Sequence, residues 1–267
     1  MAKICRFFEK VLFAVSLSLA IVLAYSASSM AHFQMILPSD DIIEEGESNE
    51  IDLQIIFTHP AEAHYTMNME KPLKFGVFHK KKTQDLTDGL KDFEFHGAKS
   101  WKSKFVAKGG GDFVFYLVPR PYYEDMEQTY ITQYTKLVVN NAGFPTDWDA
   151  ELGLDAEIVP LCKPYGLWTG NAFQGMVKHK GKAVPFAEIE VERLNAGAFS
   201  DLVCPGQRYP SSAHVTQVIK ADDNGIFTYG IPKAGWWGFA ALMEGEKIDG
   251  KDHEVGAVIW VRAYDME

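Results

Sequence analysis

The chain has 267 residues, of which 47% are hydrophobic and 13% aromatic, and its formal net charge is −10. That hydrophobic share excludes a chain disordered by composition. The acidic balance repels polyphosphate, so nucleic acid is excluded as a partner, and it argues equally against an electrostatic membrane patch.

Lys3, Arg6 and Lys10 precede an apolar run from Val11 to Ala24, and Ser29 and Ala31 supply a small-x-small end. A basic region, a short apolar region and such an end describe a secretory signal peptide over residues 1–31. The apolar run holds 14 residues, short of the roughly 20 that a spanning helix needs. Cleavage after Ala31 leaves 236 residues beginning at His32 and, by removing three basic residues and Glu9, lowers the net charge to −12. The expected location is the periplasm. An uncleaved leader would instead tether the chain to the inner membrane. No later segment is apolar for long enough to cross a bilayer, so no direct span is expected after cleavage.

The remainder predicts strands in chain order. Ile51, Leu53, Ile55 and Phe57 alternate with mostly polar neighbours, the pattern of a half-buried strand. Leu73–Phe78, Phe113–Val118 and Tyr130–Val139 follow, then Ala187–Leu194, Val215–Ile219, Gly225–Ile231, Trp237–Met243 and Val255–Ala263. All are short, rich in β-branched and aromatic residues, and punctuated by turns. Thr83–Lys91 predicts one helical turn or a loop at most. Gly109-Gly110-Gly111 predicts a flexible hairpin connection, and it lacks the Lys-Ser/Thr ending of a phosphate loop. Asp223-Asn224-Gly225 and Asp249-Gly250 are tight-turn signals, and the former lacks the spacing of a calcium loop. Residues 140–155 combine Asn-Asn, Gly143, Pro145 and Gly153 with acidic residues, which predicts a boundary. The expected fold is all-β, with two β-sandwich domains over 32–150 and 155–267. Cys162 and Cys204 are compatible with one bridge in an oxidising compartment or with two thiols.

No nucleophile elbow, Cys-His nucleophile signature or His-Glu-x-x-His helix is present. The chemistry-bearing residues are histidines. Cleavage would make His32 N-terminal, where its α-amine and Nδ1 close a six-membered chelate ring on one metal ion. His59 ends the inward face of its strand, Pro60 turns the chain, and His64 follows in the loop so created. Glu62 could ligate or orient an imidazole, and Met67 and Met69 offer softer sulfur. The expected metal ligands are therefore His32, His59 and His64. His79 lies against Lys80, Lys81 and Lys82, where a cation is repelled. His96 and His179 read as turn residues, and His214 and His253 as solvated strand beginnings. Trp236 and Trp237 should face opposite sides of a strand. Tyr122 and Tyr123 with Glu124, Asp125 and Glu127 could form a sugar-binding loop or an acidic glycosidase pair, but loop acids are ordinarily solvated.

The combination of Ala31-His32-Phe33-Gln34, the His59-to-Met69 segment with Lys71-Pro72, Pro164-Tyr165-Gly166-Leu167-Trp168-Thr169-Gly170-Asn171, and Gln217 through Leu242 resembles the periplasmic accessory proteins of energy-coupling-factor type nickel/cobalt uptake systems. The resemblance implies nickel or cobalt handling outside the inner membrane, whether by delivering the metal, gating the transporter or stabilising it. The expectation is a non-enzymatic protein with Ni2+ or Co2+ as bound cargo, the membrane components of a transporter as partners, and immunoglobulin- or transthyretin-like sandwiches. The nitrogen-rich ligand set would hold Cu2+ as well, since ligand chemistry alone favours copper. Two rivals stand beside this expectation: a copper oxygenase built on an N-terminal histidine, and a metal-free β-sandwich adhesion or assembly module.

Overall fold

The computed structural model describes residues 31–61, 65–195 and 209–266. The first half of the chain forms β1 (Phe33–Pro38), β2 (Ile42–Ile43), β3 (Glu50–Thr58), β4 (Lys74–His79), β5 (Lys82–Asp85), β6 (Lys91–Phe95), β7 (Ala98–Val106), β8 (Gly111–Val118), β9 (Tyr122–Glu124) and β10 (Thr129–Asn141). The second half forms β11 (Ala156–Pro160), β12 (Leu167–Trp168), β13 (Ala172–His179), β14 (Lys182–Ala183), β15 (Glu188–Arg193), β16 (Gln217–Lys220), β17 (Ile226–Gly230), β18 (Gly235–Glu244) and β19 (Asp252–Tyr264). Two 3-10 turns, Thr87–Gly89 and Ser212–His214, are the helical elements among the described residues. The protein is all-β.

These strands make three sheets. One outer sheet runs β1-β3-β7-β6, the other joins β11, β13, β14 and β17, and an eleven-stranded sheet follows the path β16-β15-β18-β19-β10-β8-β4-β5 between them. The alternation of β18 and β19 explains the stack. Trp237, Phe239 and Ala241, with Val255, Ala257, Ile259, Val261 and Ala263, enter the core shared with Ile158, Phe173 and Phe227. Ala240, Val258 and Trp260 point the other way, into the core shared with Phe33, Ile51 and Ile55. Because successive strand residues face opposite sides, a strand covered on both faces reads as a continuous apolar run. Each outer sheet thus forms a sandwich with the central one.

The break expected near residue 150 separates the outer sheets, but the central sheet draws on both segments: β10 pairs in parallel with β19 from Thr129↔Asp252 to Leu137↔Trp260. Residues Ala31–Glu267 form one compact unit. The intervening connection is pinned. The Asp112 carboxylate accepts the backbone N–H groups of Thr146, Asp147 and Trp148. Lys136 Nζ, fully buried, donates to Glu157 Oε1 at 2.7 Å and to the Ala150 carbonyl at 3.0 Å, while Glu157 accepts from Leu152 and Gly153.

Two local expectations are corrected. Of Thr83–Lys91, a helical turn does form at Thr87–Gly89, but residues Lys82–Asp85 pair with β4 as an edge strand; all four side chains are exposed, so no apolar alternation betrays the strand. Gly109-Gly110-Gly111 is no hairpin, because β7 pairs with β3 and β6 in an outer sheet while β8 pairs with β4 and β10 in the central one. The Asp249-Gly250 signal does close a hairpin between β18 and β19. Its two φ angles of 50° and 78° are the consecutive positive values that a type I′ turn requires.

Two stability predictions follow from buried charge. Replacing Lys136 by Met leaves Glu157 without its cation, at a cost of about 3–5 kcal/mol, whereas replacing both partners by apolar residues should recover most of the loss. Thermal melts of the single and double variants check this. Glu190 and Glu254 face the β1 side of the central sheet, and burial first pushes both carboxyls up to about 7; Glu254, Glu188 and Glu127 add to the effect on Glu190, and Glu127 to that on Glu254. A carboxyl that holds its proton longer in the folded chain makes folding less favourable as pH rises from about 4.5 to about 7. The melting temperature should therefore fall from pH 5 to pH 8, by the equivalent of about 2 kcal/mol for each group. Glu190→Gln and Glu254→Gln should each flatten that slope; an unchanged slope in both variants would refute the assignment.

Candidate metal centre

The register of β1 against β3 builds the centre. Phe33 pairs with Thr58 and Gln34 with Phe57, so one step further His32 stands across from His59. Their rings lie 4.6 Å apart between centroids at an interplanar angle of 89°. His32 is 9% and His59 6% exposed. Opposed residues of an antiparallel pair project from the same face, which is why the sheet brings together two histidines 27 positions apart.

The position of His59 is secured from both sides. Its N–H donates to the Tyr65 carbonyl, and Met67 N–H donates to the Phe57 carbonyl, so the chain returns alongside β3 after the turn at Pro60. Asn195 N–H donates to the Pro60 carbonyl, and Ala61 N–H to Glu192 Oε2 at 3.1 Å. The turn is thereby fastened to the end of β15. His64 and Glu62 lie outside the described residues.

His32 is held with equal care. Gln133 donates through Nε2 to the His32 carbonyl at 2.6 Å and accepts Gln34 N–H at Oε1 at 2.8 Å. The ring nitrogen Nε2 meets Glu124 Oε2 at 3.2 Å. A carboxylate on one imidazole nitrogen fixes the tautomer and the ring orientation, and leaves Nδ1 as the other nitrogen of the ring. Tyr122 donates its hydroxyl to the same Glu124 oxygen at 3.4 Å. Burial first, then the Glu124 charge, raises the Tyr122 phenol well above its ordinary value, so it stays a neutral donor. Phe57 closes the apolar side, 5.9 Å from the His32 ring.

Among the described residues no group of three or more His, Cys, Asp or Glu side chains is arranged to hold a metal ion. The described residues bring together two imidazoles, with Glu124 hydrogen-bonded to one of them.

The remaining residues sort clearly. Glu124, read from sequence as one of several solvated loop acids, is buried at the end of β9. Asp125 and Glu127 beside it are exposed, and a three-residue strand gives no period to separate it from them. Met67 and Met69 fill core, with Met69 Sδ 3.5 Å from Gln34 Nε2. His79 meets the Asp112 carbonyl and stacks on Phe113 at 4.0 Å. His253, expected to be solvated, bridges the Glu246 carbonyl and the Thr132 hydroxyl. His214 stands in a 3-10 turn, not at a strand beginning, and hydrogen-bonds Ser211. Trp236 and Trp237 do part to opposite faces and pack on the two cores. Cys162 is half-buried against the carbonyls of Ala172 and Gln174, and Cys204 lies outside the described residues.

Solved structures give distant overlaps. Trypsin-activated alpha-2-macroglobulin from Escherichia coli aligns over 89% of this chain at 9% identity and a TM-score of 0.25, and the chain spans 16% of that protein. A putative carbohydrate binding protein from Bacteroides uniformis aligns over 85% of this chain and 98% of its own, at 10% identity and a TM-score of 0.26. Tandem titin immunoglobulin domains align over 89% and 98%, at 10% identity and a TM-score of 0.19. No protein of curated function matches the sequence. A family signature matches residues 29–245, which include β1, β3, β9 and the His32–His59 pair, and the chain therefore belongs to the family described as a domain of unknown function, DUF4198.

Proposed function

We propose that this protein is a periplasmic, non-enzymatic carrier of Ni2+ or Co2+ that serves the membrane components of a metal uptake transporter. The observation that supports this reading is the buried, perpendicular His32–His59 pair. In it His32 contributes its α-amine and Nδ1 after signal cleavage, His59 contributes a second imidazole, and His64 completes the nitrogen set. Glu124 orients the His32 ring. Imidazole and amine nitrogens suit Ni(II), Co(II) and Cu(II). The transporter partnership rests on the sequence resemblance set out above.

Metal titration of the processed protein tests the reading. The intact mass of exported protein should correspond to 236 residues. Ni(II) binding should weaken steeply from about pH 8 to 6, because imidazole and amine must both be deprotonated to ligate. His32→Ala, His59→Ala and His64→Ala should each weaken binding, as should one extra residue ahead of His32, which displaces the amine. Glu124→Gln should cost about tenfold or more, the usual effect of losing a carboxylate behind a ligating imidazole. His79→Ala should leave affinity unchanged. Equal affinity in the extended protein would exclude the amine as a ligand, and equal affinity in all the variants would exclude the site. Reductant-dependent oxidation of a polysaccharide by copper-loaded protein would favour the oxygenase instead.

A further inference from the structure

We propose that the cleft beside His32 receives the metal as a chelate of a small organic carboxylate, not as the bare hydrated ion. This rests on the metal-binding reading above and names the form in which the cargo arrives.

The cleft measures about 440 Å³, with Phe57, Met69, Arg120, Tyr122, Tyr123 and Tyr130 among its lining. That volume lies in the range of small-molecule sites, about 300–1,000 Å³, and far exceeds what a single ion requires. The cleft and the histidine pair share a wall. Phe57 stands 5.9 Å from the His32 ring and 5.3 Å from the Tyr122 ring, measured between centroids. Tyr122 reaches the Glu124 oxygen that also meets His32 Nε2. A ligand in the cleft is therefore one side chain away from the imidazole.

The lining selects the ligand's chemistry. Tyr123 and Tyr130 lie 4.9 Å apart; Lys251 Nζ covers one face of Tyr123, 3.6 Å from its centroid, and Tyr130 offers ring surface to a compact carbon skeleton. Arg120 and Asn68 are among the donors in the lining. Among the described residues Arg120 spends only Nε, donating to the Lys71 carbonyl at 3.2 Å, which leaves its terminal amino groups to a ligand. Asn68 accepts Lys99 N–H through Oδ1, which leaves its amide N–H groups. Guanidinium is the side chain whose fork matches a carboxylate. The one carboxylate in the lining among the described residues, Glu70, stands 3.6 Å from Arg120 Nε and is largely exposed. It competes with a ligand carboxylate for Arg120, and it is a poor sole anchor for a bare cation. Neither histidine lines the cleft itself, so the metal must first pass the Phe57–Tyr122 wall; transfer is then ligand exchange, in which an imidazole nitrogen replaces a water on the chelated metal, that water leaves to solvent, and no electron moves.

Isothermal titration of the processed protein with nickel chloride, with nickel premixed with citrate or aspartate, and with each acid alone tests the proposal. At least one premixed complex should bind as tightly as nickel chloride or tighter. Arg120→Ala should weaken that complex about tenfold, the loss expected for a charge-assisted hydrogen bond, and leave nickel chloride binding and the melting temperature unchanged. Glu70→Gln should tighten it. If both acids only lower the apparent affinity by the amount their own competition for nickel predicts, and Arg120→Ala changes nothing, the proposal is overturned while the histidine site stands. Failure of nickel chloride to bind would overturn the histidine site itself.

Discussion

Gln133 is the residue through which the two sheets of the first sandwich become one structure. β1 is the edge of its sheet, and an edge strand presents backbone groups with no strand to pair them. Here that edge is buried, so each group needs a partner. Gln133 supplies both halves of an amide pair, accepting Gln34 N–H and donating to the His32 carbonyl. Trp260 Nε1 and the Thr135 hydroxyl complete the edge by donating to the Gln34 carbonyl. Gln133 can lie across the central sheet because Gly256 is its neighbour there: a Cβ on Gly256 would stand 2.8 Å from Gln133 Cγ. Losing the clamp would strand a buried donor and a buried acceptor, at about 1–3 kcal/mol each. It would also free the register that sets His32 against His59.

Charge inside the protein is treated in two ways. Where it is structural, each carboxylate is held by hydrogen-bond donors, although among the described residues Asp41 Oδ2 is left without one. Asp112 accepts three backbone N–H groups and the Asn140 amide; Glu157 accepts Lys136 and two backbone groups; Asp41 accepts Arg262 and Tyr264. On the β1 side of the central sheet the balance shifts. Glu124 answers His32, while burial first raises the carboxyls of Glu190 and Glu254, with Glu254, Glu188 and Glu127 adding to the effect on Glu190 and Glu127 to that on Glu254.

Much of this was legible in the sequence. The runs Trp237–Met243 and Val255–Ala263 lack polar alternation because both faces are covered, and they mark the strands that became the centre of the stack. The parity that placed His59 on the inward face of its strand holds. What escaped had no local period. β5 is wholly polar, β9 has three residues, and the meeting of His32 with His59 depends on a register between strands that no single segment encodes. Gln133 sits in the predicted strand Tyr130–Val139, yet nothing in that strand reveals that its amide would serve another strand's edge. The division near residue 150 is a true change of outer sheet, but the long parallel pairing of β10 with β19 joins residues more than a hundred positions apart, beyond any composition window.

A chain terminus is ordinarily frayed, which makes a terminal amine a poor metal ligand because binding must first immobilise it. The geometry around His32 removes that cost. Its carbonyl is held by Gln133, its ring by Glu124, and the next residue, Phe33, is fully buried against Trp260 at 5.7 Å. Phe33 fits there because Gly238 lies below it, where a Cβ would stand 2.9 Å from the Phe33 ring. Three contacts from the central sheet and β9 thus fix the residue without help from any ligand. Under the proposed cleavage, only the last torsions next to the freed amine would remain to be set, and the supporting contacts are those that preorganise a site.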